Sequence, residues 1–125
     1  VYADKALQVE NRIDESLTCQ CDEGDLMEVL GNLLENACKW GQQHIRISAQ
    51  AVKQAGVEVC IEDDGPGIPT DIREQVLQRG QRADPATAGH GIGLAMVHEI
   101  VLLYGGNLKI ESSSLGGTAI TLQLP

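Results

Sequence analysis

Asn32-Leu33-Leu34-Glu35-Asn36-Ala37-Cys38-Lys39-Trp40 is the stretch whose reading decides the fold. It closes a segment whose apolar residues, Leu26, Val29, Leu30, Leu33, Leu34, Ala37 and Cys38, recur at helical spacing. A helix from about Asp25 to Trp40 is predicted, with Asp22 or Asp25 able to cap it and Gly41 ending it. Glu28, Asn32, Glu35, Asn36 and Lys39 fall on its other side. Asparagine is a poor residue inside a helix because its amide competes for backbone hydrogen bonds. Two of them one turn apart on one face therefore suggest a use. Carboxamide oxygens suit a hard cation such as Mg²⁺, and Lys39 one turn further on could meet a phosphate as a point charge. The plainer alternative is a solvated face carrying an ordinary Glu35–Lys39 pair.

Downstream, residues 44–50 and 56–63 alternate apolar with polar across a Gly-containing link and predict a β-pair. The second runs into Asp63-Asp64-Gly65-Pro66-Gly67-Ile68. A carboxylate fixed at a strand end can accept from an amine, and the glycines let the chain pass close to a flat ligand. Asp-Gly and Pro-Gly also favour a plain acidic turn. Gly89-His90-Gly91-Ile92-Gly93-Leu94 opens a further helix, from about Gly91 to Tyr104 and closed by Gly105-Gly106. Clustered glycines at a helix start can turn backbone N–H groups toward an anion, or serve as a hinge. The spacing matches neither the dinucleotide fingerprint nor a P-loop. Strands are predicted at 107–112 and 118–124 around Leu115-Gly116-Gly117-Thr118, and upstream at 6–10 and 17–21. Between Gly65 and Gly91, Thr70 to Gln78 can form a short helix in what otherwise reads as a long functional lid. The order β-β-α-β-β-lid-α-β-β predicts an α/β two-layer sandwich of a mixed sheet and helices.

Nine Lys and Arg against 18 Asp and Glu give a formal charge of −9, which disfavours nucleic acid as a partner. In so acidic a chain, a bound nucleotide would need backbone amides, a few basic side chains and a divalent cation close by. Cys19 and Cys21 form a C-x-C, but the second close pair typical of structural zinc is missing. With Cys38 and Cys60 they are expected to be buried or half-buried free thiols, as suits a reducing compartment. No apolar run is long enough for a membrane helix. The chain starts at Val1 and is read as one domain, residues 1–125, of a longer protein.

Taken together, Asn32–Trp40, Asp63–Pro69, Gly89–Ala95 and Gly116–Thr118 resemble, in order and spacing, the N, G1, G2 and G3 boxes of the GHKL ATPase superfamily. Within it the chain looks like the catalytic domain of sensor histidine kinases, closest to the PhoQ group, which Arg79-Gly80-Gln81-Arg82 also resembles. The resemblance implies a Bergerat ATP-binding fold with a mobile ATP lid. Asn32 and Asn36 would hold Mg²⁺, Lys39 would approach the phosphates, and Trp40 would border the nucleotide. Asp63 would accept from the adenine amine, with Gly65, Gly67 and Ile68 beneath the base. Gly89, His90, Gly91, Ile92, Gly93 and Leu94 would line the phosphates, Arg82 would reach in from the lid, and Thr118 would sit near the adenine end. His90 replaces a metal-facing Gln of PhoQ-like relatives, and the lid has Val76 and Leu77 where the family commonly has phenylalanine.

The family's phosphoacceptor histidine lies in a separate helical segment, and His44, His90 and His98 lack its context. The resemblance thus implies partners: an upstream phosphoacceptor and dimerisation domain, a homodimeric parent, and a cognate response regulator. It also implies a cytoplasmic place beneath an inner-membrane sensor. The rival readings are another GHKL ATPase or serine kinase, or a degenerate nucleotide-binding module. The hydrolysing branch typically carries a Glu base where this chain has Asn32, which favours phosphoryl transfer.

Overall fold

The computed structural model describes residues 8–13, 16–52, 56–73 and 88–125, with only the backbone described at Ile72 and at 88–92. In chain order these form strand β1 (Gln8–Ile13), helix α1 (Glu23–Trp40), strands β2 (His44–Ala51) and β3 (Val57–Asp63), a 3₁₀ turn (Thr70–Ile72), helix α2 (Ala88–Leu103), and strands β4 (Asn107–Ser112) and β5 (Thr118–Leu124).

α1 begins where its capping chemistry says it should. Asp22 is extended and accepts from the Asp25 N–H at 3.2 Å, with Glu23 and Asp25 in the first turn facing the positive end of the helix dipole. Gly41 ends the helix, its N–H returning to the Ala37 carbonyl at 2.7 Å. α2 closes through Gly105 at φ +75°, which lets the Gly106 N–H reach back to the Val101 carbonyl at 3.0 Å.

The five strands pair in the order β1-β2-β3-β5-β4, with β1 parallel to β2 and the other pairs antiparallel. This is the expected mixed-sheet α/β sandwich: α1 packs against β3, α2 against β4 and β5, and the helices against each other. Strand alternation builds the core. Val57, Val59, Ile61 and Asp63 point into it from β3, while Glu58, Cys60 and Glu62 take the opposite, half-exposed face. Leu33, Val97, Val101 and Leu122 are fully enclosed between the layers. A strand that is apolar at every second position thus delivers a carboxylate, Asp63, to the buried side at its last residue.

Several sequence expectations differ from the structure. Residues 17–21 are not a strand; the chain bends at Gln20–Cys21 to reach the helix cap, and the Gln20 N–H donates to the Pro125 carbonyl at 2.8 Å. The strand expected at 6–10 is described as β1 over Gln8–Ile13 and pairs with β2. The expected short helix from Thr70 is a 3₁₀ turn over Thr70–Ile72, and the rest of that expectation lies outside the described residues.

Candidate functional site

Asp63 is the buried centre of one half of the site, only 3% exposed. Its Oδ1 accepts from the Gly65 N–H at 2.8 Å and from the Thr118 N–H at 3.4 Å. Among the described residues Oδ2 receives no hydrogen bond, so one oxygen is held and the other has none of those N–H groups on it. Burial pushes the Asp63 carboxyl above its ordinary range, against the pull of those two N–H groups, and neighbouring Asp64 adds to the rise. The surrounding glycines are required by contact. A Cβ on Gly117 would stand 2.5 Å from Asp63 Oδ1, and one on Gly65 would overlap the Trp40 carbonyl. Gly67 sits at φ +80° beside the Gly117 backbone, and Ile68 packs into the core below.

The other half is a cleft of about 150 Å³ lined by Asn32, Glu35, Asn36, Lys39 and Gly93. The Asn32 Nδ2 donates to the Glu28 carbonyl at 2.8 Å, which turns its Oδ1 toward Gly93, where an added Cβ would lie 3.4 Å away. The missing side chain at Gly93 thus keeps the cleft open opposite a carboxamide oxygen. Asn36, at 9% exposed, lies one turn on. Asn36 is thus buried rather than on a solvated face, yet with Asn32 and Glu35 it lines the cleft. Two carboxamides beside a carboxylate make a donor set that fits a hard divalent cation, which takes a few protein oxygens and keeps several waters. The two halves join at the end of α1, where Gly41 lies between the Ala37 carbonyl and the Asp63 side chain.

Three contacts went unread in the sequence. Asp64, beyond the strand, accepts from the Gln42 N–H at 2.7 Å and the Gln43 N–H at 3.0 Å, tying the α1–β2 connection to the end of β3. Burial opposes its ionisation, yet the N–H groups of Gln43, Gln42 and His44 hold it below the usual carboxylate range. The Lys39 ammonium stands 5.5 Å from the Trp40 ring centroid, a cation–π contact between two residues expected to act separately. Arg73 donates to the Ile68 carbonyl at 2.9 Å, the Ile110 carbonyl at 3.3 Å and Ser112 Oγ at 3.1 Å, anchoring the chain after Ile68 to β4. The acidic doublet was the signal for Asp64; neither of the others has a local signature.

The structure therefore brings Asn32, Asn36, Lys39 and Gly93 together in one place, and Asp63, Gly65, Gly67, Ile68 and Thr118 in another. Leu94 lies in the core. Gly89, His90, Gly91 and Ile92 fall in the first turns of α2, which starts at Ala88 rather than near Gly91. The N–H groups without a partner inside the helix are then those of 88–91, aimed out of its positive end. Arg79, Arg82, Val76 and Leu77 lie outside the described residues.

A family model described as histidine kinase-, DNA gyrase B- and HSP90-like ATPase matches residues 21–125. The sensor protein kinase CarS of Pseudomonas aeruginosa is 43% identical over 119 residues, covering 95% of this chain and 26% of that protein. The two-component sensor PhoQ of the same organism is 37% identical over 123 residues, covering 98% and 27%. The sensor protein PhoQ of Escherichia coli O157:H7 is 38% identical over 117 residues, covering 94% and 24%. Among solved structures, the mycobacterial sensor histidine kinase MprB superposes with a TM-score of 0.78 at 30% identity, over 96% of this chain and 84% of that one. Full-length ShkA in complex with AMPPNP gives 0.81 at 27% identity, over 99% and 26%. The chain spans about a quarter of the length of the curated relatives it matches.

Proposed function

Because the chain belongs to the histidine kinase-, DNA gyrase B- and HSP90-like ATPase family, we propose that it binds Mg·ATP and presents the γ-phosphate to a histidine on an adjacent helical domain of a two-component sensor kinase. The observation that carries this reading is Asp63: a buried carboxylate with one oxygen held by Gly65 and Thr118 and the other left to an amine. In this reading the adenine amine donates to Asp63, and Gly65 and Gly67 leave the base room. Asn32 and Asn36 would hold Mg²⁺ in the cleft facing Gly93, where the ion would supply charge neutralisation for the phosphates. The N–H groups at the start of α2 face the phosphate chain, and Lys39 swings off Trp40 to meet it.

Asn32 has no basic atom with which to take a proton from water, so the site favours transfer to an incoming imidazole over hydrolysis. Positioning and charge neutralisation supply most of the rate in such a transfer, and no general base is needed in this chain. The acceptor histidine, the dimer it belongs to, a response regulator and an inner-membrane anchor with this domain in the cytoplasm all belong to the proposed parent. Among the described residues no helix is long and apolar enough to cross a membrane.

The test is a titration of the fluorescence of Trp40, the only tryptophan, with Mg·ADP and Mg·ATP, against EDTA and GTP. A saturable, adenine-selective and Mg-sensitive change is expected. Its absence, with calorimetry showing no heat of binding in folded protein, would overturn the reading in favour of a degenerate module.

A further inference from the structure

The C-x-C of Cys19 and Cys21 has no part in the nucleotide reading, and its geometry is unlike that of an extended segment. In a strand the Cα atoms of residues i and i+2 lie about 6.6 Å apart and their side chains run side by side. The bend at Gln20–Cys21 instead brings the two Sγ atoms to 3.2 Å, one thiol donating to the other. Both thiols are free and half-buried. The bend is fixed on both sides. The Gln20 N–H is held by the Pro125 carbonyl, and the Asp22 N–H by the Tyr104 hydroxyl at 3.0 Å, which in turn donates to Asp25 at 2.6 Å.

We propose that Cys19 and Cys21 are a modification site: a pre-set dithiol that closes to an intramolecular disulfide in exchange with small-molecule disulfides. The sulfurs need to approach by little more than 1 Å to reach the S–S bond length of about 2.05 Å. A thiolate of the pair attacks a small disulfide RS–SR, forming a protein–S–SR bond and releasing RS⁻. The second cysteine then attacks the protein sulfur and expels the other RS⁻. The two cysteines are oxidised, the small disulfide is reduced to two RSH, and the two thiol protons pass to the leaving thiolates. Burial, the Cys19 thiol and the carboxylates of Asp25 and Asp22 push the Cys21 thiol up to about 11. Its thiolate is scarce at neutral pH, so the closing step accelerates as pH rises.

The experiment treats the folded chain with oxidised glutathione at pH 7 and pH 9, quenches with acid, and maps it with a glutamyl endopeptidase. The peptide Ser16–Glu23 contains Cys19 and Cys21 and neither Cys38 nor Cys60. The expected product is this peptide lighter by two hydrogens and free of glutathione, formed at least tenfold faster at pH 9. Cys19→Ser and Cys21→Ser should each retain a glutathione on the remaining thiol. Stable glutathione adducts on both cysteines of the unaltered chain would overturn the proposal. So would a disulfide to Cys38 or Cys60, or a peptide left unmodified while free cysteine in the same tube reacts.

Discussion

Two adjacent carboxylates, Asp63 and Asp64, differ in everything but composition. Asp63 ends the core-facing row of β3, and burial raises its carboxyl. Its folded form holds a proton more readily than the unfolded chain, so ionised Asp63 costs stability once the pH exceeds the folded value. Asp63→Asn keeps an oxygen for Gly65 and Thr118 but sets an amide nitrogen against any incoming amine. The variant is expected to melt at or above the temperature of the unaltered chain at pH 7, while its affinity for Mg·ADP falls at least about tenfold. Calorimetric scanning and titration check the two halves; unchanged affinity would remove Asp63 from the site. For Asp64 the sign reverses. Its folded carboxyl lies below the ordinary value, so its contribution is complete above the unfolded pKa of about 3.9 and is lost as the pH falls through the folded value. Asp64→Ala should lower the melting temperature at pH 7, and the difference should shrink below about pH 4.

Elements were legible where period and punctuation agreed. The apolar stripe, the Asp22 cap and Gly41 bound α1, alternation marked β2, β3 and β5, and the expected bounds of β4 and β5 match residue for residue. Residues 17–21 were misread because Leu17, Cys19 and Cys21 alternate as a strand does, while the contacts that bend them come from Tyr104 and Pro125 at the far end of the chain. Arg73 was invisible for the same reason: its partners Ile110 and Ser112 belong to β4. Asn32 and Asn36 could be read, because their unsuitability for a helix interior is local. Tyr104 is the joint between the helices, accepting from the Asp22 N–H and donating to Asp25. Tyr104→Phe should lower stability, seen as a lower urea midpoint with an unchanged slope. An unchanged midpoint would mean that water replaces the hydroxyl at no cost.

On the proposed reading, the nucleotide chemistry runs along one line, the C-terminal half of α1, with Asp63 of β3 at the end and the start of α2 alongside. None of the three histidines lies in a phosphoacceptor context, so on the proposed reading the chain alone is a donor. Incubated with ATP radiolabelled at the γ-phosphate, the isolated chain is expected to stay unlabelled. Adding the helical phosphoacceptor domain of a PhoQ-like sensor should give acid-labile label on that domain alone. Acid-labile label on the chain itself would show that it carries an acceptor histidine of its own.

The glycines packed against Asp63 and Trp40 set what inheritance can do with this pocket. Every codon change that leaves glycine adds a Cβ, which at position 65 would overlap the Trp40 carbonyl and at 117 would crowd Asp63 Oδ1. Neither obstacle is a flexible side-chain end that could give way; one is backbone and the other is the site itself. A saturation scan selecting for nucleotide binding should find these two positions blank apart from glycine, with no compensating neighbour a single step away. Gly31, where an added Cβ meets nothing within 4 Å, should fill with most residues. Drift in such a lineage is open at positions like Gly31, while the floor of the pocket has no gradual way out.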